Sequence, residues 1–321
     1  MPITLPECLP RIAGARVMVT GGAGFIGSHL VDYLLARDVQ QVVVVDNLTR
    51  PRENWLKARE DHPRLAFIEG DILHAGRLSA ALAEIDVVYH LAAVATVMAA
   101  VGDPERAFAV NALGTAQVAM AARRAGVRRL VFTSSREVYG DPVALPVTED
   151  APLRPKNVYG ASKASGELFL STLDPSQIEI VIVRLANVYG PGDSGRVIPI
   201  FLNNASRDLP LTLYGGQQIL DLVWIGDVVE VLVKAGFSAE PVTEPTNIGS
   251  GTATSLQALA QRIVNLVARD TPIQIAPPRG PEVDRYQADL TRAAHYYGLV
   301  QKDDPLDKLP ELLNAVRTGT R

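Results

Sequence analysis

The sequence predicts an α/β fold: a doubly wound parallel sheet with a smaller mixed α/β lobe attached. Three features predict it. Short apolar runs such as Val42-Val43-Val44-Val45 have the length and β-branched content of strands covered on both faces. Segments with helical spacing of apolar residues alternate with those runs, the order that right-handed crossovers need. A glycine-rich turn, Gly21-Gly22-Ala23-Gly24-Phe25-Ile26-Gly27, joins the first run to the first helical segment.

Taken in order, Arg16-Val17-Met18-Val19-Thr20 is the first strand, and Ser28 to Ala36 continues as a helix on Leu30, Leu34 and Leu35. Between them Gly21, Gly24 and Gly27 give the spacing G-x-x-G-x-x-G. Glycine there permits a tight turn and lets backbone approach a pyrophosphate, whose charge suits the amino end of a helix. A glycine triplet alone is weak evidence. Here the second strand ends at Asp46, about 20 residues on, where a Rossmann-type site places a carboxylate on the adenosine ribose. That carboxylate repels a 2′-phosphate, so the sequence favours NAD over NADP, with Arg50 the one neighbour arguing otherwise.

Leu65 to Glu69 is a third strand, closing in Gly70-Asp71-Ile72. Val87-Val88-Tyr89 is a fourth and runs into His90-Leu91-Ala92-Ala93, where small residues leave room for a cofactor. His90 reads as a packed strand-end residue rather than a catalyst. Asp103-Pro104 starts one long helix that includes Asn111 and ends near Gly126. Leu130-Val131-Phe132 and Ile178 to Val183 are the fifth and sixth strands, and a Gly/Pro cluster at Gly190-Pro191-Gly192 marks a change of character. The expected division is a cofactor domain over 1–188, to which 218–245 return, and a substrate lobe from 189–217 and 246–321. In that division Leu220 to Ile225 and the helix from Asp227 rejoin the main domain. The helix Ser255 to Ala268, the strand Ile273-Gln274-Ile275 and the helices after Asp289 belong to the lobe.

With 321 residues, 47% of them hydrophobic and 21% charged, the chain has ample material for one large or two joined domains. Its net charge of −4, without a basic block, argues against nucleic acid or an anionic membrane as partner. The single cysteine, Cys8, sits in a loose N-terminal lead, so neither an internal disulfide nor a thiolate zinc cluster is expected. Met1-Pro2-Ile3-Thr4-Leu5-Pro6 lacks the apolar core of a signal peptide, and no run reaches membrane-spanning length. A cytoplasmic address is the default expectation, and no metal is called for.

The chemistry centres on the strand end Thr133-Ser134-Ser135-Arg136-Glu137 and the helix start Val158-Tyr159-Gly160-Ala161-Ser162-Lys163. Tyr159 and Lys163 lie four apart, on one face of a helix. An ammonium beside a phenol favours the phenolate and is expected to lower the Tyr159 pKa, which suits a base. A Ser135 hydroxyl nearby would hold a substrate oxygen while its proton leaves. The pair alone would be a common surface arrangement; the serine strand end and the upstream glycine turn turn it into an alcohol-oxidising centre.

These residues and motifs, with Asp46-Asn47-Leu48, Val138-Tyr139-Gly140 and Asn187-Val188-Tyr189-Gly190-Pro191-Gly192, resemble the extended short-chain dehydrogenase/reductases that modify nucleotide sugars, over nearly the whole chain. The resemblance implies tightly held NAD, oxidation at C4 of a hexose, a UDP-hexose or UDP-GlcNAc type of substrate, and a homodimer. The dimer would be built on the helices from Pro104 to Ala125 and Tyr159 to Leu173. It implies cofactor contacts at Gly21, Gly24, Phe25, Ile26, Gly27, Asp46, Asn47, Asp71, Ile72, Leu91, Ala92, Ala93 and Asn111, besides Tyr159 and Lys163. It places Asn187 and Arg279 on the diphosphate, Glu282 on the nucleotide ribose and Tyr286 beside the sugar. A guanidinium fork suits a phosphate oxygen pair, so Arg279 fits that role chemically.

Two departures stand out. Leu220 occupies a position where the family usually has a second arginine before the aspartate, here Asp221. After the serine, 4-epimerases of the family tend to carry small or apolar residues and 4,6-dehydratases carry Asp-Glu, whereas this chain has Arg136-Glu137. Oxidation at C4 acidifies the C5 hydrogen, which a Glu137 carboxylate can remove; the competing role for Glu137 is an ion pair with Arg136. Arg136 cannot protonate a leaving hydroxyl, because guanidinium keeps its proton. The pattern resembles the UDP-N-acetylglucosamine 5,6-dehydratases of nucleoside-antibiotic biosynthesis: C4 oxidation, elimination across C5–C6, and hydride returned to C4. The alternatives are a 4-epimerase, a 4,6-dehydratase, and a non-catalytic NAD-sensing protein, which would not need both Tyr159 and Lys163.

Overall fold

A computed structural model describes residues 12–318; Cys8 and the stretch Met1-Pro2-Ile3-Thr4-Leu5-Pro6 lie outside them. The strands are β1 (Arg16–Thr20), β2 (Gln41–Asp46), β3 (Leu65–Glu69), β4 (Val87–His90), β5 (Arg129–Ser135) and β6 (Glu179–Leu185), then β7 (Asn187–Tyr189), β8 (Leu211–Tyr214), β9 (Ile219–Trp224), β10 (Thr246–Ile248), β11 (Ala253–Ser255) and β12 (Ile273–Ala276). The helices are α1 (Phe25–Leu35), α2 (Ala75–Ala81), α3 (Val97–Gly102), α4 (Pro104–Phe108), α5 (Thr115–Arg124) and α6 (Val158–Leu170), followed by α7 (Val197–Ser206), α8 (Ile225–Phe237), α9 (Leu256–Val267), α10 (Thr291–Tyr297) and α11 (Leu309–Thr318).

Seven parallel strands form the main sheet in the order β3-β2-β1-β4-β5-β6-β10. The pleat sends alternate side chains to opposite faces. Val17, Val19, Val42 and Val44 join α1 and α8 in one core, while Met18, Val43, Val45 and Phe132 join α5 in a second. Strand order runs outward in both directions from the β1–β4 boundary. Such a reversal opens a crevice beyond the strand carboxyl ends. The lobe has a third core of Phe201, Leu213, Leu259, Ile263 and Leu313, built on α7, α9 and α11. No described helix is long and apolar enough to cross a membrane.

The structure differs from the sequence expectations at three places. β10 pairs with β6, so the last strand of the main sheet comes from a stretch assigned to the lobe. β9 does not rejoin that sheet; it lies between β7 and β11 in a small sheet of its own. From that stretch Val223 of β9 and the helix α8 directly after it pack back on the main core. The single helix expected from Pro104 is broken. Asp103 Oδ1 accepts from the Arg106 N–H and caps α4 as expected, but Ala109–Gly114 then widens into a π-helical turn before α5. Such turns insert one residue into the helical repeat and re-aim side chains, often near functional sites.

Candidate active site

The crevice is a cavity of about 1020 Å³ running from the glycine turn to the lobe. Its cofactor end begins at Gly21, in the left-handed region at φ +72°, where a Cβ would stand 2.6 Å from the Ala92 nitrogen. Gly27 packs so closely on the Gly21 carbonyl that no side chain fits. α1 starts at Gly24 with no side-chain cap and no acidic residue in its first turn, leaving its amino end for an anion. Asp46 Oδ2 accepts from the Ala23 N–H at 3.0 Å and Oδ1 from the Leu48 N–H at 2.8 Å, tying the acid at the end of β2 to the glycine turn. Burial raises the Asp46 pKa, against the pull of those two bonds. Asp71 shifts the other way: burial would raise it, but bonds from the Leu73 N–H, Arg106 and Asn47 bring it below the usual range. Phe25, Ile26, Ile72, Leu91 and Ala93 complete this end. A close-approach turn, an open helix start and a carboxylate at the second strand end fit a dinucleotide.

The catalytic end is where β5 meets α6. Asn157 caps α6, its Oδ1 accepting from the Gly160 N–H at 2.8 Å, which fixes Tyr159 in the first turn. Ser135, Glu137, Tyr159 and Lys163 all line the cavity. A hydrogen bond links Ser135 to Tyr159. Lys163 Nζ donates to the Thr133 carbonyl at 2.8 Å, and burial lowers its pKa to about 7, with Glu167 opposing. The expectation that Lys163 lowers the Tyr159 pKa is corrected here. Burial raises the phenol, and the groups drawing it down are Ser135, then Arg196, with Arg136 after the opposing charge of Glu137.

Glu137 is buried and doubly held: Oε1 lies 2.9 Å from Arg136 Nη2, and Oε2 accepts from Asn157 Nδ2 at 2.7 Å. The ion pair weighed as the competing role for this residue is therefore present, on a residue that also lines the cavity.

At the lobe end Asn187, Arg279 and Glu282 line the cavity as expected. The Arg279 guanidinium stacks 3.7 Å over the exposed Tyr214 ring and lies 3.7 Å from Glu282. Burial raises the Glu282 pKa, against Arg279. Leu220 lines the wall, and Asp221 turns inward instead. Two predicted residues are not on the wall. Asn111, re-aimed by the π-helical turn, accepts from the Val94 N–H at 2.8 Å and donates to Ser162 Oγ at 3.0 Å, so it braces the wall from behind. Tyr286 is fully buried and stacks on Tyr139 with centroids 6.1 Å apart, so it does not border a sugar.

Sequence reasoning missed Arg196, Tyr214 and Gln218, which also line the cavity. Arg196 pairs with Asp193 at 2.7 Å and sits over Phe25, 5.5 Å from its centroid. Its only sequence signal is a lone arginine after the Gly/Pro cluster. Buried Asn187 Oδ1, Asp193 Oδ2, Gln218 Oε1 and Ser134 Oγ have no partner among the described residues, and all four residues line the cavity. Polar atoms left unmet at a cavity wall mark places a polar ligand can satisfy.

His90 is fully buried, with Nδ1 2.7 Å from Thr20 Oγ1 and Nε2 3.0 Å from Thr115 Oγ1, in keeping with a packing role. Burial, then Lys163, lowers its pKa to about 3. The unfolded ring takes a proton near pH 6.5, so the stability of the neutral buried ring is present above that pH and lost as pH falls toward the folded value. A His90→Gln variant is expected to lose less stability than the parent between pH 6.5 and about 4, read from denaturant midpoints. Equal acid slopes would remove His90 as the cause.

A family model described as NAD dependent epimerase/dehydratase family matches residues 17–249. UDP-glucose 4-epimerase of Mycolicibacterium smegmatis is 38% identical over 293 residues, covering 88% of this chain and 92% of that protein. UDP-glucuronic acid decarboxylase 2 of Arabidopsis thaliana is 33% identical, covering 95% of this chain and 68% of that one. Among solved structures, the dTDP-glucose 4,6-dehydratase of Streptomyces venezuelae, with NAD bound, superposes with a TM-score of 0.89 at 30% identity, covering 94% and 97% of the two chains. The chain belongs to the NAD-dependent epimerase/dehydratase family: it is an enzyme of nucleotide-sugar chemistry with NAD as its cofactor.

Proposed function

We propose that the chain is a nucleotide-sugar dehydratase working through a 4-keto intermediate, on a UDP-GlcNAc type of substrate. Tyr159 takes the proton of the C4 hydroxyl, and Ser135 holds O4. NAD, when bound, would supply the hydride acceptor and donor for C4. Lys163 anchors the cofactor ribose. Glu137 takes the C5 proton made acidic by the C4 ketone and passes it to the C6 hydroxyl, which departs as water; hydride then returns to C4 as Tyr159 gives its proton back to O4. The product is a 5,6-unsaturated sugar with no net redox change. Arg279 and Asn187 hold the diphosphate, and Glu282 the nucleotide ribose. We further propose a homodimer formed on α4, the π-helical turn after it, α5 and α6, where Phe108, Leu113 and Leu168 are exposed.

The observation that carries the reading is Glu137: a buried carboxylate on the cavity wall, two residues from Ser135, held by Arg136 and Asn157. A 4-epimerase needs no such base. That second reading is favoured by the 38% identity to UDP-glucose 4-epimerase. Incubation with UDP-GlcNAc and UDP-glucose in heavy water separates the two. Deuterium at C5 or a new alkene is expected; a C4-inverted product with unlabelled C5 would establish the epimerase instead.

A further inference from the structure

Arg136 has no part in the steps above, yet it is the most buried arginine on the cavity wall, 9% exposed. Its Nη2 meets Glu137 at 2.9 Å, while Nη1 is buried without a partner among the described residues. A buried charged donor left unmet is unfavourable unless something fills its hydrogen-bonding capacity. Behind the guanidinium lies the Tyr286 ring, 5.9 Å away, itself stacked on Tyr139. This aromatic backing holds the group in place. The Tyr286 hydroxyl, also buried, forms no bond to it.

We propose that Arg136 is a specificity-determining residue whose free nitrogen donates to the oxygen on C6 of the sugar. The site then takes hexoses with a C6 oxygen in preference to 6-deoxyhexoses and pentoses. The assignment rests on the functional reading above. Ser135 and Tyr159 address O4, and the ring neighbours of C4 are C3, bearing O3, and C5, bearing C6. Glu137 works at C5 in that reading, and Arg136 is paired to Glu137, so its guanidinium stands on the C5–C6 side. A guanidinium donates hydrogen bonds and keeps its proton, so it orients the C6 oxygen without protonating it.

The test follows reduced-nicotinamide absorbance in single turnovers of the NAD-loaded enzyme with UDP-GlcNAc and with its 6-deoxy, pentose (lacking C6) and 3-deoxy analogues. Because only C4 oxidation is read, sugars unable to eliminate water still report. Removing the C6 oxygen is expected to lower the wild-type kcat/KM roughly 10- to 100-fold, and removing O3 far less, as for one charged hydrogen bond. Arg136→Met should erase that difference and Arg136→Lys restore part of it. Should Arg136→Met fail to fold, the wild-type series and Arg136→Lys decide. The proposal is overturned if the wild type oxidises the 6-deoxy analogue as fast as UDP-GlcNAc, or if a folded Arg136→Met slows both by one factor, as mere support of Glu137 would. A wild type that reduces NAD with none of these sugars brings down the functional reading, and this proposal with it.

Discussion

Replacing Tyr159 with phenylalanine is expected to slow C4 oxidation about a thousandfold or more while leaving NAD bound. The side chain is half-buried in the first turn of α6, where the Asn157 cap fixes its backbone. Phenylalanine keeps the ring and its packing, so what is lost is the oxygen bonded to Ser135. The cofactor end is built mainly from the glycine turn, Asp46 and the β4 strand end, none of which the substitution touches. Since burial raises the phenol and Ser135 and Arg196 draw it back, a smaller loss is expected from Ser135→Ala, which removes one of those opposing groups and leaves the base. Single-turnover rates and the NAD content of the purified protein check both statements. A Tyr159→Phe variant within tenfold of the parent would remove Tyr159 as the base.

The largest expected effect on stability is at Asp221. This fully buried side chain accepts from the Ser250 N–H at 2.6 Å, Ser250 Oγ at 2.8 Å, the Gly251 N–H at 3.1 Å and the Ala288 N–H at 2.9 Å. It thereby joins β9 to the loop after β10 and to the segment before α10. Asp221→Ala leaves three buried backbone N–H groups without acceptors, at about 1–3 kcal/mol each, so a loss above about 3 kcal/mol is expected. Asp221→Asn should also destabilise, because its amide would turn donors toward donors. Denaturant midpoints measure the loss, and a change under about 1 kcal/mol would mean that water replaces the carboxylate. This acid is therefore a tie between segments, although the sequence offers it beside a diphosphate-binding position.

Local signals proved reliable wherever the physics was local. The glycine turn, the acid at the end of β2 and the four-residue step from Tyr159 to Lys163 each depend on a few neighbouring dihedrals, and each stands where the sequence put it. Misreadings arose where distant packing decides. Nothing near Asn111 announces a π-helical turn, since Ala109 to Gly114 has ordinary helical composition; the turn packs on α6, a helix distant in the chain. Tyr286 was placed beside the sugar by resemblance, but its ring is buried in a stack with Tyr139, a contact set by two segments far apart in the chain. Arg196 escaped notice because its role depends on the lobe folding back over Phe25. For Lys163, helical spacing was right and the electrostatics were not, because burial of the phenol between packed segments outweighs the groups that draw its pKa down.

β10 carries a consequence for the order in which the protein can be made. Its three residues cover the outer edge of β6, yet the ribosome delivers them only after the first part of the lobe. Until then, β6 presents an open edge bearing Val183 and Leu185, a template for pairing with other nascent chains. A fragment stopped after β6 would keep that edge for good. Any attempt to isolate the cofactor half must therefore carry the chain through Ile248.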